Sequence, residues 1–366
     1  MHTQTKFRLL VVRLGAMGDI LHALPAVTAL RQAHPGWVID WVVEPRWRAL
    51  LVADGSTGRT TRLHSTAPDP AQPVVDGLQL AATKDWRKAP MSRKTLHEIM
   101  SLRAGLKAGD YDTVIDLQGA VRSAVIGRMA GCQRLIGEAE PRERAARWLF
   151  TEQVETRGAH VIEQAVELVS AIAGDDLKPV APWLPVDSAA EAWVDAILPP
   201  VDGGGSRQPA VLINPGAGWG AKRWPVERYA VVAQGLIERG MRVFVNAGPG
   251  EQGLADAIVA TAGSAVAVVC TMEQLIALTR RMSLVIAGDT GPLHLACALE
   301  RPVVGIYGPT DPSRNGPFGT RFRVLRSPES RRDHTRHEAP EAGLLTISPE
   351  DVLRAADELL GEEAAE

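Results

Sequence analysis

Three short segments of this chain combine glycine, acid and base in a way that suits phosphate and hydroxyl chemistry. The first is Arg13-Leu14-Gly15-Ala16-Met17-Gly18-Asp19-Ile20-Leu21-His22. Its glycines follow an apolar run and open a helical pattern, so the backbone can approach a ligand and the helix start favours anions. Asp19 falls at that helix start. An acid there either takes a proton from a hydroxyl or serves as a helix cap. The second segment is Asn214-Pro215-Gly216-Ala217-Gly218, followed by Lys222-Arg223-Trp224-Pro225. Backbone amides in such a loop can cradle phosphate. Lys222 can add a cation to a diphosphate, or be a solvated surface lysine. The third is Gly288-Asp289-Thr290-Gly291-Pro292-Leu293-His294. Asp289 or Thr290 is placed to cap a helix, and His294 is either a ligand or a satisfied buried histidine. Glu251, in the loop Gly248-Pro249-Gly250-Glu251, can accept from ribose hydroxyls or cap the next helix.

A fourth feature is a basic stretch with Lys84, Arg87, Lys88, Arg93, Lys94, Arg103 and Lys107, interleaved with Trp86 and Met91. A solvated helix face is one reading. An anion-binding surface for an acceptor is the other.

The elements that must position these residues alternate. Apolar runs at 9–12, 38–43, 113–117, 211–213, 243–246, 284–287 and 303–307 read as buried strands, separated by helical patterns. That order is the mark of doubly wound α/β sheets, which bind ligands at the carboxyl ends of their strands. Prolines 179, 182 and 185 mark a change of composition. The expected organisation is therefore an N-terminal domain over 1–180 and a C-terminal domain over 181–345. A C-terminal helix over 346–366 is expected to return to the N-terminal domain, with Ser348 and Asp351 forming its capping box and Gly361 its stop. Residues 53–79 read as an irregular surface insertion, 84–107 as one basic helical stretch, and 321–337 as a surface loop.

The chain has 366 residues, of which 45% are hydrophobic, enough for two cores. A formal net charge of -3 argues against whole-chain nucleic-acid binding. The three cysteines, Cys132, Cys270 and Cys297, show no metal-ligand or disulfide spacing, which fits a reducing cytoplasm. No secretory leader and no membrane-spanning run is expected.

Taken together, the Arg13–His22 segment and the segment 288–294 resemble glycosyltransferase family 9, the ADP-heptose:lipopolysaccharide heptosyltransferases. Asp40-Trp41-Val42-Val43-Glu44, Trp86-Arg87-Lys88, the run from Tyr111 to Gly119, Lys222-Arg223-Trp224-Pro225 and Tyr307-Gly308-Pro309-Thr310-Asp311-Pro312 are similar to heptosyltransferase I. The resemblance covers nearly the whole chain. It implies a GT-B fold, two Rossmann-like domains facing a central cleft, and inversion at the anomeric carbon without metal or cofactor. It implies Asp19 as general base and Lys222 as the lysine that neutralises the donor. It implies donor binding by Gly216, Gly218, Glu251, Asp289, Thr290, Gly291 and His294. Acceptor binding falls to Gly18, Arg87, Lys88, Gln118 and Arg122. The implied partners are ADP-heptose and Kdo–lipid A, with transient contact at the inner face of the inner membrane and no nucleic acid. The chain departs from the family pattern at 53–79, at Gly216-Ala217-Gly218-Trp219 where a Thr-rich loop is usual, and at 331–337.

Three other readings compete. One is a GT-B enzyme with a different nucleotide-sugar donor. Another is an NAD-dependent dehydrogenase, with Asp40 about 20 residues after the first loop as the ribose-binding acid. The absence of G-x-G-x-x-G argues against that second reading. The last, a non-catalytic binding protein that kept the fold, is weighed against by the retention of both Asp19 and Lys222.

Overall fold

The computed structural model describes residues 6–53, 69–199, 208–330 and 338–363. The chain divides into two units, Met1–Val186 and Asp187–Glu366. The change of unit thus falls after the proline-rich stretch, a few residues beyond its expected place.

In the first unit, β1 (Arg8–Val12), β2 (Val38–Val43), β3 (Gly77–Leu80), β4 (Thr113–Asp116), β5 (Leu135–Glu138) and β6 (Glu152–Val154) form a parallel sheet. Its order is β3-β2-β1-β4-β5-β6. The helices are α1 (Met17–Ala33), α2 (Thr83–Lys88), α3 (Arg93–Ala108), α4 (Val121–Met129) and α5 (Val161–Ala173). Runs such as Leu9-Leu10-Val11-Val12 are buried on both faces, as a helix-covered parallel sheet requires. α1 is apolar nearly all round, is buried from Ile20 to Arg31, and packs on α5.

The second unit repeats the plan. α6 (Ser188–Ile197) precedes β7 (Ala210–Asn214), α7 (Val226–Glu238), β8 (Arg242–Asn246), α8 (Gln252–Ala262), β9 (Val266–Val268) and α9 (Met272–Arg280). Then come β10 (Leu284–Gly288), α10 (Gly291–Ala298), β11 (Val303–Tyr307), α11 (Pro312–Asn315), β12 (Phe322–Arg326) and α12 (Pro349–Glu363). This sheet is also parallel, in the order β12-β11-β10-β7-β8-β9. Both orders reverse once, between β1 and β4 and between β7 and β10. Those reversals are the switch points where doubly wound sheets open a ligand crevice.

Four expectations need correction. The segment 53–79 is not all surface: Val74 and Val75 are buried and β3 lies at its end. Arg31 explains this, because its buried guanidinium donates to the Val74 carbonyl at 2.9 Å and pairs with Asp76, which also takes the Ile39 N–H at 2.8 Å. The basic stretch is two helices, broken around Pro90, with Ser92 capping α3 through the Thr95 N–H at 3.1 Å. The run 321–337 begins as strand β12, which pairs with β11. Finally, α12 does not join the first unit. Its Val352, Ala355, Ala356 and Leu359 lie in the core of the second, against α7 and β10–β12. Its capping box forms as expected, with Ser348 and Asp351 exchanging hydrogen bonds at 3.1 and 3.2 Å, but the helix runs through Gly361 to Glu363. Residues 54–68, the glycine run at 203–205 and the basic tract at 331–337 lie outside the described residues.

Candidate active site

At the first switch point, the loop after β1 is held by the loop after β4. The Gln118 side-chain oxygen accepts the Leu14 N–H at 2.8 Å. Arg13 donates to the Leu117 carbonyl and pairs with Asp19, with Nη2 3.1 Å from Oδ1. The other Asp19 oxygen accepts the Ala16 N–H at 2.9 Å, so Asp19 does close the start of α1. Its carboxylate remains about one-third exposed. Gly18 directly precedes it in the first turn. Gly15 adopts φ +148°, and a Cβ there would lie 2.7 Å from the Trp47 indole nitrogen. Only glycine lets Trp47 cover this loop so closely.

Asp116 organises the second loop. One oxygen accepts from Gln118 and Gly119 N–H at 2.7 and 2.9 Å, and the other from Ser123 Oγ at 2.7 Å. Burial dominates and pushes its carboxyl up to about 6, against these hydrogen bonds and the charge of Arg13.

A group of cations collects along the same carboxyl edge. Glu44, at the end of β2, accepts from Thr83 Oγ1 and from the Lys84 N–H at 3.2 Å, which seats the start of α2. Partial burial, then Arg46, and further Arg122 and Arg87 lower the pKa of Lys84, against the pull of Glu44. Arg46, Arg122 and Arg87 each act on the Lys84 ammonium. Arg46 just beyond β2, Arg87 in α2 and Arg122 at the start of α4 thus set one cationic field at Lys84. Lys88 does not act on Lys84 and is instead paired with Asp85 at 2.9 Å.

In the second unit the switch point is bridged by charge. The Lys222 ammonium pairs with the Asp289 carboxylate, lies 3.4 Å from the Asp289 carbonyl oxygen and sits 4.3 Å from the Trp219 ring centre. The remaining Asp289 oxygen lies 3.2 Å from His294 Nε2. Burial opposes ionisation of Asp289, but the His294 hydrogen bond and the Lys222 charge overcome it and hold the carboxyl far below the usual range. Burial, with the Asp289 charge next, raises the Tyr307 hydroxyl well above its ordinary value. Thr290 is the N-cap residue of α10, its hydroxyl 3.2 Å from the Gly288 carbonyl oxygen, and Gly291 begins the helix. A Cβ on Gly216 would overlap the Glu251 carboxylate, and one on Gly248 would lie 2.7 Å from it. Gly218 faces open space. Asn246 ties β8 to β7 by donating to Asn214 Oδ1 at 2.9 Å.

The model of glycosyltransferase family 9 (heptosyltransferase) matches residues 99–344. The chain belongs to glycosyltransferase family 9. It is 32% identical to lipopolysaccharide heptosyltransferase 1 of Escherichia coli K12 over 335 residues, covering 88% of this chain and 94% of that protein. Among solved structures, it is similar to E. coli heptosyltransferase WaaC with ADP, at 26% identity and a TM-score of 0.76, covering 96% of this chain and all of that one. The same enzyme with ADP-2-deoxy-2-fluoro heptose matches at a TM-score of 0.74, with 96% and 99% covered. As a family 9 member the chain is a glycosyltransferase, and its two doubly wound sheets are the GT-B architecture.

The structure thus brings Gly18, Asp19 and Gln118 to one switch point and Lys222, Asp289, Thr290, Gly291 and His294 to the other. Gly216 and Glu251 meet beside the second. Arg87 and Arg122 share one cationic field, which Lys88 does not join. Asp40 lies in mid-β2, buried, and accepts from the Tyr111 hydroxyl at 2.7 Å, so it is not placed at a carboxyl edge as a dehydrogenase ribose acid would be. Arg13, Arg46 and Asp116 were not selected from sequence. Their one signal is position: each stands at or just beyond the carboxyl end of a strand.

Proposed function

We propose that this glycosyltransferase moves heptose from ADP-heptose onto the Kdo region of the lipopolysaccharide inner core, with inversion. One observation carries the reading: each unit sets an acid–base pair at its switch point, Arg13–Asp19 in the first and Lys222–Asp289 in the second. The names of the relatives supply the donor and the acceptor class. In the reaction, an acceptor hydroxyl oxygen attacks the anomeric carbon and the bond from that carbon to the diphosphate oxygen breaks. Asp19 takes the hydroxyl proton, and ADP leaves with the bonding electrons. A hydroxyl is a weak nucleophile, so loss of its proton during attack lowers the barrier.

Charge on the leaving ADP grows as the bond breaks, and Lys222 together with the α10 start is suited to bind that charge more tightly in the transition state. Glu251, beside Gly216, is suited to ribose hydroxyls, with Gly216 and Gly218 leaving room for the backbone to approach the donor. The field of Lys84, Arg46, Arg87 and Arg122 suits the carboxylates and phosphates of a Kdo–lipid acceptor. Such an acceptor implies work at the inner face of the inner membrane. Among the described residues no helix is long and apolar enough to cross a membrane.

Mass spectrometry of Kdo–lipid A incubated with ADP-heptose tests the reaction directly, with gain of one heptose expected. Asp19→Asn tests the base. Asn retains an oxygen to accept the Ala16 N–H, so folding and KM should hold while kcat falls by about 10²–10⁴-fold. A folded Asp19→Asn enzyme with near-normal kcat would rule out the base.

A further inference from the structure

The basic stretch that sequence reads as one feature is split by the fold, and only part of it joins the cationic field beside the first switch point. The rest lies on α3. That helix buries Thr95, Leu102 and Leu106 on one face. The helical period places Arg93, Leu96, Met100, Arg103 and Lys107 together on an exposed side of the helix, about a third of a turn round from the buried face, and all five are exposed. Leu96 is 49% exposed and Met100 60%, and Met91 in the loop just before α3 is 82% exposed. Large apolar side chains this open do not serve the core. Glu98 lies on the far side of the helix from this face and is engaged, taking the Trp86 indole N–H at 2.8 Å and facing Lys94 at 3.8 Å. Among the described residues, Arg93, Arg103 and Lys107 form no ion pair with an acid.

We propose that this face of α3, with Met91, is the surface by which the enzyme docks on an anionic lipid bilayer. Apolar side chains flanked by cations are the pattern of an interfacial helix, with Met and Leu entering the acyl boundary and Arg and Lys meeting headgroup phosphates. Three separate apolar side chains with cations between them suit a fluid surface. A protein partner would be better matched by a continuous, well-packed apolar centre. The inference rests on the proposed membrane-embedded acceptor for its purpose, but its evidence and its test are independent of transfer.

The experiment is co-sedimentation of the full chain with vesicles of phosphatidylethanolamine and phosphatidylglycerol, beside vesicles of phosphatidylcholine alone. Binding to the anionic vesicles is expected, and it should weaken as salt is raised. Leu96→Ser/Met100→Ser and Arg103→Gln/Lys107→Gln should each reduce that binding by about tenfold. Their melting curves should match the parent, because none of the four side chains is buried. Transfer to a deacylated, water-soluble acceptor should be unchanged, while transfer to acceptor in vesicles falls. Equal binding to anionic and neutral vesicles would overturn the proposal, as would folded variants that bind like the parent. Binding of the parent to anionic vesicles that the variants lose, in a chain that transfers no heptose, would leave the docking surface standing and count against the reaction alone.

Discussion

At the scale of residues, Asp19 is held from two sides. Oδ2 takes the Ala16 N–H, and Oδ1 faces Arg13, which is itself tied to the loop after β4 through Leu117. Arg13 is thus a positioning residue for the proposed base. In Arg13→Gln the carboxylate should lose one of its two anchors, and kcat should fall by about 10–100-fold with little change in KM. The decisive measurement is the double mutant. If Arg13 acts through Asp19, Arg13→Gln should cost almost nothing more once Asp19 is Asn. Additive losses would mean that Arg13 merely supports the fold.

At the scale of elements, the turn from β4 into α4 is built around a buried acid. Asp116 has a carboxyl pushed up to about 6 by burial, from an ordinary 3.8. The folded chain therefore holds this proton more tightly than the unfolded chain. Its stabilising contribution is complete below about pH 4 and is lost as pH rises through 6, a change of roughly 3 kcal/mol. Asn fits the same bonds: its oxygen can accept from Gln118 and Gly119, and its amide can donate to Ser123, whose hydroxyl already lies 2.8 Å from the Ala120 carbonyl oxygen. Asp116→Asn should remove this pH dependence and be at least as stable as the parent at about pH 8. Urea midpoints at about pH 5 and about pH 8 measure it. A variant that is much weaker than the parent at the higher pH would show that the ionised form is what the turn requires.

At the scale of the whole molecule, one sheet plan is used twice with opposite electrostatics at its carboxyl edge. The first unit sets Arg46, Arg122 and Arg87 about Lys84, with Glu44 acting in the opposite sense, whereas the second neutralises its lysine internally through Asp289. On the proposed role of Lys222, an incoming diphosphate has to compete with Asp289 for it, so donor binding should be sensitive to either partner. Kinetics should divide accordingly. Arg87→Ala should raise the acceptor KM by roughly 10-fold or more and leave the donor KM nearly unchanged. Lys222→Ala should weaken the donor and slow transfer. Lys88→Ala should do little, since Lys88 is exposed and already paired with Asp85. Initial rates with each substrate varied in turn give the answer, and an acceptor KM that rises as much for Lys88→Ala as for Arg87→Ala would dissolve the cationic field as drawn here.

Much of this was legible along the chain, and the reason is local. Continuous apolar runs, helix starts and strand-end glycines are set by neighbours a few residues apart, so the alternation of strand and helix, the three loops and the Ser348–Asp351 cap could all be read directly. What only the tertiary structure decided depends on residues far apart in sequence. Arg31 draws Val74 and Asp76 inward across more than 40 positions, turning apparent surface into core. Leu14 meets Gln118 and Lys222 meets Asp289 because a doubly wound sheet lays its first and fourth strands side by side. Arg46 joins Lys84 and Arg122 for the same reason. Charge order along the sequence cannot distinguish Arg87 from Lys88, which are adjacent. Both side chains are exposed, and what separates them, the action of Arg87 on Lys84 and the pairing of Lys88 with Asp85, arises only when α2 is seated on Glu44.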